Sequence, residues 1–407
     1  MRERILVMDG VHQKLVELLA KEDYFVQRLS KDKHVTPEEL SELLFGFDAL
    51  AVRSYDLRNS EKNPIVIPGN LLAIGRAGAG VDKIPHAALG QQGIVVFNTP
   101  GSNANSVKEL VIGNLIAASR NLYDAVNWAN SLGADVAKTV EKEKKKFKGS
   151  EIHGKTLGVI GLGHIGRMVA HDALNLGMQV VGYDPFLTGE ARGKLAERVE
   201  DVGLLEPLLE KSDYITLHSA YVPDKNKHMV GDYQMSAMKR GVILLNFARG
   251  ELVDNAALLK HMSNGKVARY VTDFPSDELV GVPNVIRVPH LGASTDEAEE
   301  NCAIMIAKQF DAYFKRGEIK NSVNYPRAQL DSQAGHRLAL LTKDGPGLVN
   351  KITGAFSERG INISDQVYHS RDGAGYFLCA SESPISPEIL AEVGKIGGVI
   401  RSRTMRG

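Results

Sequence analysis

The chain has 407 residues, room for two to three domains at about 150 residues each. Its 49 basic and 49 acidic residues cancel, which argues against a nucleic-acid binder, and 43% hydrophobic with 24% charged residues excludes whole-chain disorder. The two distant cysteines, Cys302 and Cys379, exclude a disulfide scaffold and a cysteine zinc site, so no metal is expected and a reducing compartment is.

Ile5–Met8 reads as a strand, and Asp9-Gly10 ends it too soon for a signal peptide. No run of about 18 apolar residues follows to span a membrane, and a cytoplasmic protein is expected. His12–Glu22 carries Leu15, Leu18 and Leu19 at helical spacing. Thr36 is placed to cap a helix that opens at Pro37, with Glu39 as its capping-box partner. Ala49–Val52, Ala73–Arg76 and Val95–Phe97 read as further strands, and the alternation predicts a parallel sheet covered on both faces.

Val107–Arg120 is a long apolar helix, and the charge run Lys142–Lys148 reads as a solvated helix end. Thr156–Ile160 opens a second alternating series, with strands at Gln179–Tyr183, Tyr214–Leu217, Val242–Asn246, Tyr270–Thr272 and Val285–Val288. In the helix Asp296–Arg316, Cys302 falls on the apolar face and is expected in the core. Residues 317–335 lose periodicity and read as a linker. Strand Arg337–Leu341, helix Leu348–Arg359, strands Ile363–His369 and Ala374–Ala380, helix Pro387–Val393 and strand Gly398–Thr404 then follow a βαββαβ order, a ferredoxin-like unit.

Gly161-Leu162-Gly163-His164-Ile165-Gly166 joins the strand Thr156–Ile160 to a helix. In that context the motif is a dinucleotide fingerprint. Gly161 makes the turn, Gly163 lets the backbone approach a pyrophosphate, and Gly166 lets helix and strand pack. The helix N-terminus at His164 and Ile165 offers free N–H groups to the anion. Asp184 ends the next strand, 18 residues beyond Gly166. A carboxylate there suits ribose hydroxyls and repels a 2′-phosphate, so NAD is expected rather than NADP. The fingerprint lies far from the N-terminus, and the helix after the second series can return to the first. The first domain is therefore expected to be discontinuous, with the active site in the cleft between two α/β lobes.

The stretches RAGAGVDKI (76–84), KELVIG (108–113), GKTLGVIGLGHIG (154–166), MKRGVILLNFARGELVD (238–254) and VPHLGAST (288–295) resemble, in order, those of the D-isomer-specific 2-hydroxyacid dehydrogenases. The resemblance covers about the first 325 residues. It implies an α/β fold of two doubly wound parallel-sheet lobes. A flavodoxin-like substrate domain would take residues 1–98 and 295–320, and a Rossmann NAD domain residues 99–294. A linker, 321–335, would lead to residues 336–407, which resemble an ACT regulatory domain.

By the same resemblance, Arg249 would hold the substrate carboxylate through its planar fork. His290 would take the 2-hydroxyl proton as hydride leaves, and return it in reverse. A carboxylate behind His290 would orient it and favour its protonated form. The family's motif is altered at that point: Thr272-Asp273-Phe274-Pro275-Ser276-Asp277-Glu278 offers Asp277 by alignment and Glu278 by residue type. Asp273 would lie near the nicotinamide amide. His218, Phe247, Ala248 and Gly292 would also line the cofactor. Arg53, Ser54, Gly78 and Asn103 would face the substrate, and Lys144 would read a phosphate, with Lys31 and Lys33 in support.

In the ACT-like region Asp344-Gly345-Pro346-Gly347 resembles an amino-acid-binding turn. The His and Asn of serine-regulated modules are Thr342 and Asp344 here, whereas Asn362 matches. An amino-acid effector at Asn362 and Asp344 is thus expected, with its identity open. The whole implies an NAD-dependent enzyme for a small phosphorylated 2-hydroxy acid, working as a homodimer or homotetramer, without a nucleic-acid or membrane partner. The alternatives are a glyoxylate or hydroxypyruvate reductase, and an NADH-sensing binding protein on the same fold. The lysine run and the ACT-like tail count against the first, and the intact Arg249/His290 pair against the second.

Overall fold

The computed structural model describes residues 2–8, 10–30, 35–332 and 335–406. They build two compact units, one of Met1–Ser102 with Asp296–Gly407 and one of Asn103–Thr295.

The first unit opens with strands β1 (Arg4–Val7), β2 (Phe25–Arg28), β3 (Ala49–Val52), β4 (Ala73–Arg76) and β5 (Val95–Phe97). They form a parallel sheet in the order β2-β1-β3-β4-β5, the doubly wound order of flavodoxin-like folds. Alternate residues point to opposite faces. Leu6, Leu50, Ile74 and Val96 meet Leu40, Leu44 and Leu89 on one face. Ile5, Ala49, Ala73 and Val95 meet Leu15, Leu19 and the helix Asp296–Arg316 on the other. Thr36 closes the expected capping box: its Oγ1 accepts Glu39 N–H at 3.2 Å, and Glu39 Oε2 accepts Thr36 N–H at 3.0 Å. Such a cap contributes about 1 kcal/mol.

The helix Asp296–Arg316 buries Cys302, Ile306, Phe310 and Tyr313 along one stripe, which puts Cys302 in the core. Phe97 packs edge-on to Tyr313, centroids 5.7 Å apart. The same cluster takes in Leu341, Tyr376, Leu378 and Met405 from the C-terminal sheet, so one helix serves two sheets.

That C-terminal sheet comes later in the chain. The second unit supplies β6 (Thr156–Ile160), β7 (Gln179–Tyr183), β8 (Val199–Asp201), β9 (Tyr214–Leu217), β10 (Val242–Asn246), β11 (Val267–Thr272) and β12 (Val285–Arg287). Their order is β12-β11-β10-β9-β6-β7-β8, a Rossmann order extended by one strand at the β12 edge. Strand order reverses between β6 and β9, and ligands of open α/β sheets bind at the carboxyl ends beside that reversal.

The third sheet is antiparallel, ordered β14-β15-β13-β16, with β13 (His336–Lys343), β14 (Asp365–Arg371), β15 (Ala374–Ser381) and β16 (Val399–Arg406). Asp372 and Gly373, both at positive φ (53° and 79°), make the two-residue turn from β14 to β15. Leu338, Leu340, Phe377 and Cys379 face the helices Leu348–Ser357 and Pro387–Lys395. Among the described residues no helix is long and apolar enough to cross a membrane.

The short strands β2 and β8 carry no clear alternation, and sequence reading passes over them. It also passes over the helices Leu122–Asn130 and Val136–Glu143, which bury no residue and so lack a core-facing stripe. The charge run follows the second of these as a 3-10 turn, Lys144–Phe147, in keeping with a solvated helix end.

Candidate active site

The dinucleotide loop leaves β6 and enters the helix His164–Asn175. Gly161 sits at φ +95°, and a Cβ there would come within 2.7 Å of the His218 and Ser219 backbone. A Cβ on Gly166 would come within 1.9 Å of the Gly161 carbonyl oxygen. Gly163, by contrast, meets nothing within 4 Å and caps the helix. The two outer glycines let the chain fold on itself, and the middle one opens the backbone to a ligand. Asp184 follows the end of β7. Its Oδ2 accepts Leu162 N–H at 2.9 Å and its Oδ1 accepts Phe186 N–H at 2.9 Å. Two backbone donors thus fix the carboxylate beside the loop, with lone pairs to spare for ribose hydroxyls. His164 opens the helix, and partial burial, then Arg167 and Lys194, hold its pKa below the usual histidine range.

His218 follows β9 with Nε2 3.0 Å from Thr216 Oγ1. Its Nδ1 is buried without a partner, and burial pushes the ring's pKa down to about 3, so the ring is neutral.

Beyond β10 the chain turns through Phe247-Ala248-Arg249. Asn246, fully buried, organises that turn. Its Oδ1 accepts Ala248 N–H at 3.1 Å, and its Nδ2 donates to Arg249 O at 2.9 Å and to Tyr270 Oη at 3.2 Å. Arg249 donates from Nη1 to Ala248 O at 2.7 Å, and its Cζ lies 5.9 Å from the Phe274 ring centroid. The Phe274 ring also meets His290, centroids 4.6 Å apart and planes at 51°. Arg249 and His290 therefore border one ring.

Asp273 precedes that ring and is 1% exposed. Burial pushes its pKa up to about 6, against the opposing pull of hydrogen bonds from its own amide and Gly292 N–H and of the Arg249 charge. Its Oδ1 is buried without a partner. Gly292 is held in turn by Ser106, whose Oγ donates to the Gly292 carbonyl at 2.8 Å.

These features fit a dinucleotide: a loop opened at Gly163, a carboxylate fixed at Asp184, and at Asp273 an orphaned acceptor suited to an amide N–H. The residues that would hold NAD are those of the 161–166 loop, Asp184 and Asp273, with Phe247 and Ala248 at the turn.

Other expected residues have different partners. Glu278 Oε2 accepts from Asn255 Nδ2 at 2.6 Å, while exposed Asp277 opens the 3-10 turn Asp277–Leu279. Lys144 pairs with Glu141 at 2.5 Å. Lys146 pairs with Glu143 at 2.6 Å and lies 4.4 Å over the Trp128 ring. Asn103 is the N-cap of the helix Ala104–Ser119, its carbonyl accepting Val107 N–H at 3.2 Å.

In the first unit Arg53, just beyond β3, forms an ion pair with Glu299. Ser54 follows it, and its carbonyl accepts from Lys83 Nζ at 3.2 Å. The Gly78 carbonyl accepts Thr99 N–H at 3.0 Å. Lys31 and Lys33 lie outside the described residues. In the C-terminal module Asp344 accepts the Tyr368 hydroxyl proton at 2.7 Å, a bond that holds its carboxyl below the usual range. Asn362 lines an open hollow of about 670 Å³ with Thr353, Phe356 and Asp365, and Asp344 is not part of its wall.

Sequence reading missed Asn246, Phe274 and Ser106. An Asn ending an apolar strand, as in Leu244-Leu245-Asn246, is a readable signal of a buried polar group that needs partners. Nothing local marks Ser106, whose partner lies 186 residues away.

Residues 112–292 match the family model described as D-isomer specific 2-hydroxyacid dehydrogenase, NAD binding domain. The chain is 38% identical over 330 residues to D-3-phosphoglycerate dehydrogenase of Methanocaldococcus jannaschii, across 79% of this chain and 60% of that protein. It is 32% identical over 421 residues to the Haemophilus influenzae enzyme of the same name, across 99% and 97%. Among solved structures it resembles the NAD+-bound 3-phosphoglycerate dehydrogenase of Entamoeba histolytica, with TM-score 0.64 and 27% identity over 79% of this chain and 99% of that one.

Proposed function

The chain belongs to the D-isomer-specific 2-hydroxyacid dehydrogenase family, and we propose that it oxidises D-3-phosphoglycerate to 3-phosphohydroxypyruvate with NAD, the reaction that opens serine biosynthesis. The observation that carries this reading is the convergence of Arg249 and His290 on Phe274, in the unit that also holds the dinucleotide loop.

Arg249 pairs with the substrate carboxylate, its fork matching the two oxygens and fixing the plane of the 2-carbon. His290 accepts the 2-hydroxyl proton and, as imidazolium, returns it to the ketone in reverse. Bound NAD supplies the hydride acceptor for the oxidation. The Asp184 carboxylate holds the ribose hydroxyls, and Asp273 takes a carboxamide N–H on its unpaired oxygen. Asp277 or Glu278 supports the charged form of His290. Arg53, Ser54, Gly78 and Asn103 are the further residues proposed for the substrate, and Lys144 the one proposed for its phosphate.

We also read the chain as a cytoplasmic homodimer or homotetramer. Exposed Leu122, Val126 and Val136, on two helices that bury none of their residues, support a covered surface there. An amino-acid effector is proposed for the C-terminal module around Asn362 and Asp344.

One assay tests the reaction: turnover of D-3-phosphoglycerate with NAD beside reduction of glyoxylate with NADH. Preference for the phosphorylated substrate is expected. Faster reduction of glyoxylate would make the chain a reductase, and no turnover of either would make it a binding protein.

A further inference from the structure

The first unit contains a cavity of about 640 Å³ well away in sequence from every residue assigned above to the cofactor or to the catalytic pair. Helix His86–Gln91 and the segment Val323–Asn324 form one side. Lys343 at the end of β13, the turn from Arg371 to Ala374, and Ile400 form the other. Its volume falls within the range of small-molecule sites, which use few polar groups to orient a ligand.

The charges in the wall are uneven. Lys343 and Arg371 bring two permanent cations, and His86 a third when protonated. Asp372 is the acid of the lining; its side chain is 95% exposed and no nearer than 4.0 Å to Arg371 Nε. The Lys343 ammonium has no hydrogen-bonding or ionic partner among the described residues.

The wall is also built to hold its shape. Arg371 Nη2 donates to the Ser322 and Tyr325 carbonyls, both at 3.1 Å, which fixes the guanidinium and leaves its other N–H groups for a ligand. Asn324 Nδ2 donates to His86 O and Ile94 O at 2.9 Å each, and its Oδ1 accepts Val96 N–H at 2.9 Å. The segment that positions Arg371 is thereby tied to the start of the helix that carries His86.

We propose that this cavity binds a small oxyanion, a carboxylate or phosphate metabolite held by Arg371 and Lys343 with His86 in the same wall. A fixed guanidinium and an exposed ammonium make the charge-assisted pair such groups favour. Its walls come from both the first-sheet region and the C-terminal sheet. A ligand there therefore favours their packing, because binding the assembled wall stabilises it by mass action.

The test is equilibrium dialysis of the full chain against labelled inorganic phosphate and, separately, labelled succinate. An Arg249→Gln background removes the substrate-carboxylate site. Saturable binding of one anion per chain is expected, phosphate or succinate telling the two sources apart. Lys343→Gln should weaken it about tenfold or more. Arg371→Gln should weaken it too, and because that change also frees two carbonyls, the exposed Lys343 variant is the deciding one. Failure of both anions to saturate, or affinities that Lys343→Gln and His86→Gln leave unchanged, would overturn the proposal.

Discussion

The Phe274 ring packs against the His290 imidazole, centroids 4.6 Å apart. It also lies 5.9 Å from Arg249 Cζ. One apolar side chain therefore borders both the cation proposed to hold the carboxylate and the base proposed to move the proton. Phe274→Ala should leave NAD binding intact and lower kcat/KM by loosening both groups, measured by steady-state kinetics beside NADH fluorescence titration.

Arg249→Lys keeps the charge and loses the fork. An ammonium cannot pair two oxygens in one plane, and loss of a directed interaction at the reacting centre costs about 2–4 kcal/mol. A fall in kcat/KM of roughly 30- to 1000-fold is expected. Near-normal kcat/KM would remove Arg249 from the site.

Asp184→Ala should relax the preference for NAD over NADP. The carboxylate that repels a 2′-phosphate is also held by Leu162 and Phe186 N–H. The variant should thus bind NAD more weakly as well, read as a raised KM for NAD and a smaller NAD/NADP ratio.

Asp273 makes stability fall as pH rises. Its carboxyl titrates near 6 when folded and near 3.9 when unfolded, so the folded chain holds its proton more tightly. That contribution is fully present below about pH 4 and lost as pH climbs through about 6. The cost above that window is about 1–3 kcal/mol at 1.36 kcal/mol per unit. Unfolding of Asp273→Asn compared with the parent at pH 5 and pH 8 should show the variant gaining on the parent at the higher pH. A constant difference would mean that the carboxyl titrates normally.

The two acids proposed to support His290 have unequal surroundings. Glu278 is engaged by Asn255 at 2.6 Å, and among the described residues Asp277 has no such partner. Asp277→Asn is therefore expected to lower the His290 pKa and shift the alkaline limb of ketone reduction to lower pH, since reduction needs the imidazolium. Glu278→Gln should leave that limb in place. The reverse pattern in full pH–rate profiles would assign the pairing to Glu278.

Much of the fold was legible because periodicity and punctuation agree. Thr36 and Glu39 mark a helix start that the structure closes as a box, and Gly161, Gly163 and Gly166 read as a dinucleotide loop because a strand pattern precedes them and a helix pattern follows. Strands β2 and β8 were not legible, since short strands at a sheet edge need no alternating pattern. Nor were the partners of Lys144 and Glu278, because a charged residue carries no sign of which neighbour will reach it. The packing of one helix, Asp296–Arg316, against two sheets leaves little trace either. Its apolar positions read as one stripe, and what covers each side is decided by residues such as Tyr376 and Met405, far along the chain.

The central claim is that His290 moves the substrate proton. Its most direct test is His290→Gln, assayed for reduction of 3-phosphohydroxypyruvate by NADH beside fluorescence titration of NADH. Glutamine keeps a polar side chain but cannot carry the proton, so kcat should fall by about 10²- to 10⁴-fold while NADH binding stays within a factor of about two. A variant that binds NADH normally and retains most of its kcat would contradict the account.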